Sequence, residues 1–351
     1  MRIHTDFTGG NIAVKERIGD TFFLENELRD TQSDWFYWAF CVEGAQGQTL
    51  TFQMQRHRLG YFGPAVSHDL VNWHWLEQAD GDSFSYTFGE KEDRVYFAHS
   101  ILYHPSRFAE FAKKQGFEIQ ALCKGYKGSF VPCVEFGGGT NTIILTARHH
   151  ACESTGNFVL EGVLESLSAD PIPGYRVFCV PFVDYEGVIR GDQGKARSPH
   201  DHNRDYDHNI PSIYPECAAI REYAKKRGCT FAFDFHSPWH KSGKNDTAFI
   251  VRNREDRTDL YDRFGALLEE NTTEDAFRYE MRNDQLPETE WNHFGSQFAC
   301  YMSLIPGNQL TFTLETAYFG TPENRVTEQG LLALGRCFAN ALRAYIGDDT
   351  Q

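Results

Sequence analysis

Five apolar runs spread over residues 141–316 constrain what this chain can fold into more than any other feature: "NTIILTAR", "YRVFCVPFV", "CTFAFDFHS", "TAFIVRN" and "LTFTLET". They are apolar at nearly every position, as strands are when helices cover both faces of a mainly parallel sheet. Among them, "STGNFVLEGVLESLSA" and "YPECAAIREYAKKRG" carry helical spacing, "SRFAEFAKKQG" reads as a helix ending at Gly116, and "EQGLLALGRCFANALRAYIG" reads as a closing helix with Gly347 as its stop. Strands alternating with helices make this an α/β region, a mainly parallel mixed sheet sandwiched by helices over 104–351.

Up to about residue 103 the texture differs. "DWFYWAFCVEG", "TLTFQMQ", "FSYTFG" and "RVYFAHSILY" are short and separated by Gly, Asp and Asn, and in "TFQMQ" apolar Phe52 and Met54 alternate with polar neighbours. Strands buried on one face alternate in this way, so a small N-terminal antiparallel β-sandwich over 1–103 is expected. No linker between the two parts is long enough to let them move independently. "WFYW" can be a carbohydrate platform, but core is the expectation. "FGGGT" (136–140) precedes a strand rather than joining a strand to a helix, which makes it a turn and not a phosphate cradle.

Composition removes several function classes. A formal charge of −15 opposes general affinity for nucleic acid or anionic membranes, which requires clustered Lys and Arg. The N-terminus lacks the apolar core of a secretory signal, and no run approaches the roughly 20 apolar residues that span a bilayer; a cytoplasmic protein is expected. The nine cysteines are dispersed, with no C-x-x-C pair, and read as reduced thiols. Any metal must therefore be held by histidine and carboxylate.

Ligand sites of open α/β sheets form at the carboxyl ends of the strands, and there the sequence puts His150, Glu153, His236 and Glu315. In "ARHHACES", one helical turn at the strand end sets His150 and Glu153 on one side, offering a nitrogen and one or two oxygens to a cation. A catalytic zinc takes three protein ligands and keeps one position for water; His236, ending "FAFDFH", supplies the third. The same pair can instead be a cap or a surface ion pair. His149 is the rival ligand, but strand alternation turns it to the opposite face from His150.

The polar segment "GDQGKARSPHDHNRDYD" (191–207) adds further candidates. Arg204 beside Asn203 can clamp a carboxylate, and Asp201 can accept from the outer nitrogen of a metal-bound histidine; a solvated loop is the plainer alternative. His200 and His202 are expected to support the site or to lie at the surface. Glu315 ends an otherwise apolar strand, where burial raises a carboxyl towards the range of a general base, unless a nearby arginine pairs with it.

Taken together, these pieces resemble the M14 family of zinc carboxypeptidases, and within it the cytosolic carboxypeptidase branch, over nearly the whole chain. "ARHHACES" is similar to that branch's A-R-x-H-P-G-E-[ST], and "FDFH" to its D-x-H strand end; the resemblance implies one zinc per chain on His150, Glu153 and His236. "DYEGVIRGDQG...DHNR" resembles P-D-G-V-x-x-G-N...D-x-N-R, implying that Asn203 and Arg204 bind the substrate's terminal carboxylate and that Asp201 supports a zinc histidine. "TLET" resembles the segment with the catalytic glutamate, hence Glu315. "DWFYWAF" and "DRVYFAHSILY" are similar to the branch's β-sandwich.

Three departures stand out. Ala151 and Cys152 replace Pro-Gly between the first ligands. Gly194 stands where the branch has an arginine that polarises the scissile carbonyl, so Arg197 or Lys195 must substitute; Arg197 is preferred for its fixed fork of donors. "SQFACYMS", where deglutamylating members carry a basic residue, has no Lys or Arg. The expected activity is metallocarboxypeptidase hydrolysis of peptide or protein C-termini, with no nucleic-acid or membrane partner. An amidohydrolase of the aspartoacylase or succinylglutamate desuccinylase type, which lacks the N-terminal sandwich, and a non-catalytic peptide-binding module are the alternatives.

Overall fold

The computed structural model describes residues 1–55, 57–78 and 81–348. The alternating N-terminal segments form nine strands: β1 (Arg2–His4), β2 (Ala13–Ile18), β3 (Thr21–Glu25), β4 (Ala39–Glu43), β5 (Thr49–Met54), β6 (Ala65–Ser67), β7 (His74–Trp75), β8 (Ser83–Thr87) and β9 (Arg94–Ala98). They make a five-stranded sheet, β1-β4-β9-β6-β7, and a four-stranded sheet, β2-β3-β5-β8. Pairing is antiparallel except between β3 and β5, which run parallel. One buried cluster joins the sheets, with Phe52 of the smaller sheet, stacked on Phe22, meeting Phe40 and Phe97 from the larger.

The five apolar runs become strands of a seven-stranded sheet. Its members are β10 (Gln120–Lys124), β11 (Phe130–Gly137), β12 (Asn141–Ala147), β13 (Tyr175–Val180), β14 (Phe231–His236), β15 (Ala248–Val251) and β16 (Leu310–Thr316), in the order β10-β11-β13-β12-β14-β16-β15. The central four, β13-β12-β14-β16, are parallel, and β10, β11 and β15 add antiparallel edges.

The helices are α1 (Pro105–Gln115), α2 (Thr155–Ala169), α3 (Tyr185–Arg190), α4 (Pro215–Arg227), α5 (Thr258–Asn271), α6 (Phe298–Ser303) and α7 (Glu328–Asp348). Side chains of α2, α5 and α7 share one core with Ile143, Phe233 and Phe312 of the sheet; α4 and α6 cover the other face over Ile144, Phe178 and Ala232. Two such covered faces explain why these strands have no polar alternation. Helices α2 and α7 touch through glycine: a Cβ on Gly162 would lie 2.1 Å from Leu332 O, and one on Gly335 would lie 2.1 Å from Val159 O. The closing helix passes through Gly347 to Asp348, so the expected stop is not one; an isolated glycine weakens a helix without ending it.

Candidate metal centre

Strand β12 ends at Ala147, and Arg148 takes a left-handed φ of 60°, turning the chain out of the sheet. The Arg148 guanidinium closes this turn by donating to Ala151 O (2.9 and 2.6 Å) and to the Ser154 hydroxyl (2.7 Å). His150 and Glu153 are thereby held between the end of β12 and the start of α2. Two strands away in the sheet, Glu315 of β16 is the register partner of His236, the last residue of β14. Parallel pairing brings all four residues to one edge.

The side chains converge. Nδ1 of His150 lies 2.8 Å from Glu153 Oε1, and Nδ1 of His236 lies 2.6 Å from Glu153 Oε2; the three residues offer ligand atoms all within 4.8 Å of one another. The outer nitrogens face carboxylates: His236 Nε2 is 2.5 Å from Asp234 Oδ2, and His150 Nε2 is 3.5 Å from Asp201 Oδ1. A carboxylate on the outer nitrogen sets the tautomer that turns a lone pair inward. Two such imidazoles and a shared carboxylate fit a metal ion, with borderline donors suited to zinc.

Charge accounts for the titration behaviour. Burial opposes ionisation of Glu153, yet His150, Lys195 and His236 outweigh it and hold the carboxyl well below the ordinary range. Burial likewise opposes the charge on His236, but Asp234 and Glu153 raise it well above the usual histidine value. Burial opposes ionisation of Asp201 too, and His150 and Arg204 pull its carboxyl down. In Glu315 burial wins: its carboxyl is raised, with Glu153 adding to the effect and His236 and Lys195 counteracting it. Oε2 of Glu315 is buried without a hydrogen-bond partner, and no arginine among the described residues pairs with it.

The structure brings together His150, Glu153, His236, Glu315, Asn203 and Arg204, all but Glu153 lining one cleft of about 280 Å³, with Asp201 behind His150. Asn203 Oδ1 accepts from Phe298 N (2.9 Å), and its Nδ2 lies 3.5 Å from His236 Nε2. Arg197 is not brought there. Its guanidinium pairs with Asp30 (3.0 Å) and Asp184 (3.5 Å) and covers the Tyr214 ring, a buried tie between the N-terminal part and the 184–214 region. Lys195 lines the cleft instead, 2.8 Å from Glu153 Oε1 and beside the Trp35 indole. The chain at Gly194 explains this. Its φ is 69°, and a Cβ there would lie 2.6 Å from Ala151 N, so the position takes no side chain, and the cation in the cleft is that of the next residue.

Sequence reasoning missed three contributors. Asp234 is two residues before His236, hence on the same face of β14, a signal that was available. His149, the rival ligand, is buried against this aspartate, with Nδ1 2.9 Å from Asp234 Oδ1 and Nε2 2.8 Å from the Tyr206 hydroxyl. Trp35, from the aromatic stretch expected to be core, lines the cleft and donates its indole N–H to Cys152 Sγ (3.2 Å). Its neighbours hold the Lys195 loop: Gln193 accepts from Tyr37 N and donates to Tyr37 O and Glu27 O. His202 stacks on Tyr214 and meets Glu216 (2.6 Å), and His200 pairs with Asp205 (2.8 Å).

With this geometry in view, the relatives are informative. No family model matches the chain. An uncharacterised protein of Zymomonas mobilis is 28% identical over 256 residues, 67% of each chain. Cytosolic carboxypeptidase 2 of Xenopus tropicalis is 21% identical over 77% of this chain. The crystal structure of a metallo-carboxypeptidase from Burkholderia cenocepacia covers 99% of both chains at a TM-score of 0.80 and 17% identity. The chain is a relative of the cytosolic carboxypeptidases of the M14 family. It spans 30% of the length of the Xenopus protein, and it has the metallo-carboxypeptidase fold from end to end. Among the described residues no helix is long and apolar enough to cross a membrane.

Proposed function

We propose that this cytosolic carboxypeptidase relative is a zinc-dependent carboxypeptidase that removes the last residue of peptides or protein tails. The observation that carries the reading is the convergence of His150 Nδ1, Glu153 and His236 Nδ1 beside a buried Glu315 carboxylate whose Oε2 has no hydrogen-bond partner. Zinc on those three residues would polarise the scissile carbonyl and acidify a water towards a pKa of about 7.

The chain's own groups supply the rest. Arg204, with the Asn203 amide, holds the substrate's terminal carboxylate by charge-assisted hydrogen bonds. Glu315, raised by burial, takes the proton of the attacking water at its carboxylate and returns it to the leaving amine. Lys195 Nζ, rather than Arg197, faces the developing oxyanion, since it is the cation that lines the cleft. Asp201 and Asp234 fix the tautomers of His150 and His236. Trp35 and Trp239, meeting edge to face at 4.7 Å, narrow the entrance and limit water. The test is hydrolysis of blocked dipeptides by zinc-loaded protein, abolished by Glu315→Gln. Zinc-loaded protein that leaves every such peptide intact would end the reading.

A further inference from the structure

The charges that line the cleft are few, and each has a task. The cations are Lys195 and Arg204, besides the two cluster histidines, and the one carboxylate is Glu315. Lys195 sits on Glu153, and the terminal carboxylate of a peptide takes Arg204. Among the described residues, nothing charged in the lining is left to meet a substrate side chain.

The wall away from the metal cluster is neutral. Val251 and Thr313 are cross-strand partners on β15 and β16, so their side chains stand together on one face of the sheet. Cys300 and Ala299 of α6 complete the surface with Asn253. Asn253 spends both ends of its amide within the protein: Nδ2 donates to Ala299 O (3.1 Å) and Oδ1 accepts from the Tyr261 hydroxyl (2.7 Å). The arginines that follow Val251 have other partners, Arg252 with Asp284 and Asp262 and Arg254 with Asp256. At the mouth, Trp239 and Trp291 are about half exposed, giving flat aromatic surface beside a polar entrance.

We propose, building on the carboxypeptidase reading, that this cleft selects peptides whose last side chain is uncharged, aromatic above all, and discriminates against those ending in glutamate, aspartate, lysine or arginine. A carboxylate moved from water onto Val251, Thr313 and Cys300 loses its hydration and finds the guanidiniums whose charge reaches Cys300 already engaged, Arg204 by the substrate's own terminus and Arg254 by Asp256. An ammonium loses its hydration and meets those same like charges, whereas an aromatic ring gains burial and ring contacts.

Four blocked dipeptides that differ only in the last residue, phenylalanine, leucine, glutamate or lysine, test this. Binding is followed by quenching of indole fluorescence in the zinc-loaded Glu315→Gln variant, and cleavage in the zinc-loaded wild type. The phenylalanine peptide is expected to bind at least tenfold more tightly than the glutamate or lysine peptide, with leucine between. Equal binding of all four, no binding of any, or a glutamate or lysine preference overturns the proposal. Cleavage of none by the wild type removes the peptidase reading, while the binding order still decides the pocket. Cys300→Lys should bring glutamate within tenfold of phenylalanine. Where that variant fails to fold, Thr313→Lys serves the same purpose.

Discussion

Lys195 Nζ lies 2.8 Å from Oε1 of Glu153, the carboxylate that His150 and His236 also face. Burial opposes its charge, but Glu153 and Glu315 raise it above the ordinary lysine value, so it stays an ammonium throughout the neutral range. Removing it should leave the metal ligands in place and cost transition-state stabilisation: Lys195→Ala is expected to lower kcat/KM by about 10²–10³, the range seen when one oxyanion donor is lost. Arg197→Ala should act on stability instead, since it leaves Asp30 and Asp184 short of a buried partner, at about 3–5 kcal/mol. Kinetics and denaturant unfolding of the two variants separate these roles; the reverse pattern would restore Arg197 to the chemistry.

Glu315 is separable from the metal ligands in the same way. Its carboxylate is buried and unpartnered at Oε2, and none of its oxygens meets His150 or Glu153 within hydrogen-bond distance. Glu315→Gln keeps the shape and removes the base, so turnover should fall by at least about 10³ while zinc stays near one per chain. Metal analysis beside a rate assay checks both halves, and loss of zinc in this variant would recast Glu315 as a ligand.

What the sequence disclosed follows from how local each signal is. Strands apolar on every side and helices of regular spacing declare themselves, so the α/β region and the site's strand-end residues were legible. His150 and Glu153 are close in the chain; Asp234, which was missed, lay within reach of strand periodicity. The choice of cation was not legible, because it depends on how closely Gly194 approaches Ala151 N, a contact between loops more than forty positions apart in the sequence. For the same reason nothing in "WFYW" announced that Trp35 would stand over the Lys195 ammonium, and nothing beside His149 announced Tyr206.

The chain from Tyr206 through His149 and Asp234 to His236 should tune metal affinity. Thr146 also donates to Asp234 Oδ1 (2.8 Å), the oxygen that meets His149, so the aspartate is held there while its Oδ2 faces His236. Asp234→Ala frees the His236 ring to rotate and is expected to weaken zinc binding by about 10–100-fold. His149→Ala, one link further out, should cost less. Competition titrations against a chromophoric chelator give the order; unchanged affinity in Asp234→Ala would mean that packing alone orients His236.

Proton release on metal binding follows from the same aspartate. In the metal-free protein, burial disfavours the charged His236, but Asp234 and Glu153 overcome it and raise the group well above the ordinary histidine value of 6.5. A metal ligand must be the neutral imidazole. At pH 7 His236 therefore still carries its proton and must lose it as zinc binds, so affinity should climb as pH rises through neutrality, by up to about tenfold per unit, and level off above the raised pKa. Asp234→Asn removes the larger of the two raising charges, which lowers the His236 value and with it the number of protons released at pH 7. Calorimetry of zinc binding in two buffers of different ionisation enthalpy measures that number. It should be larger for the wild type than for Asp234→Asn, and equal release from the two proteins would show that His236 is already neutral before the metal arrives.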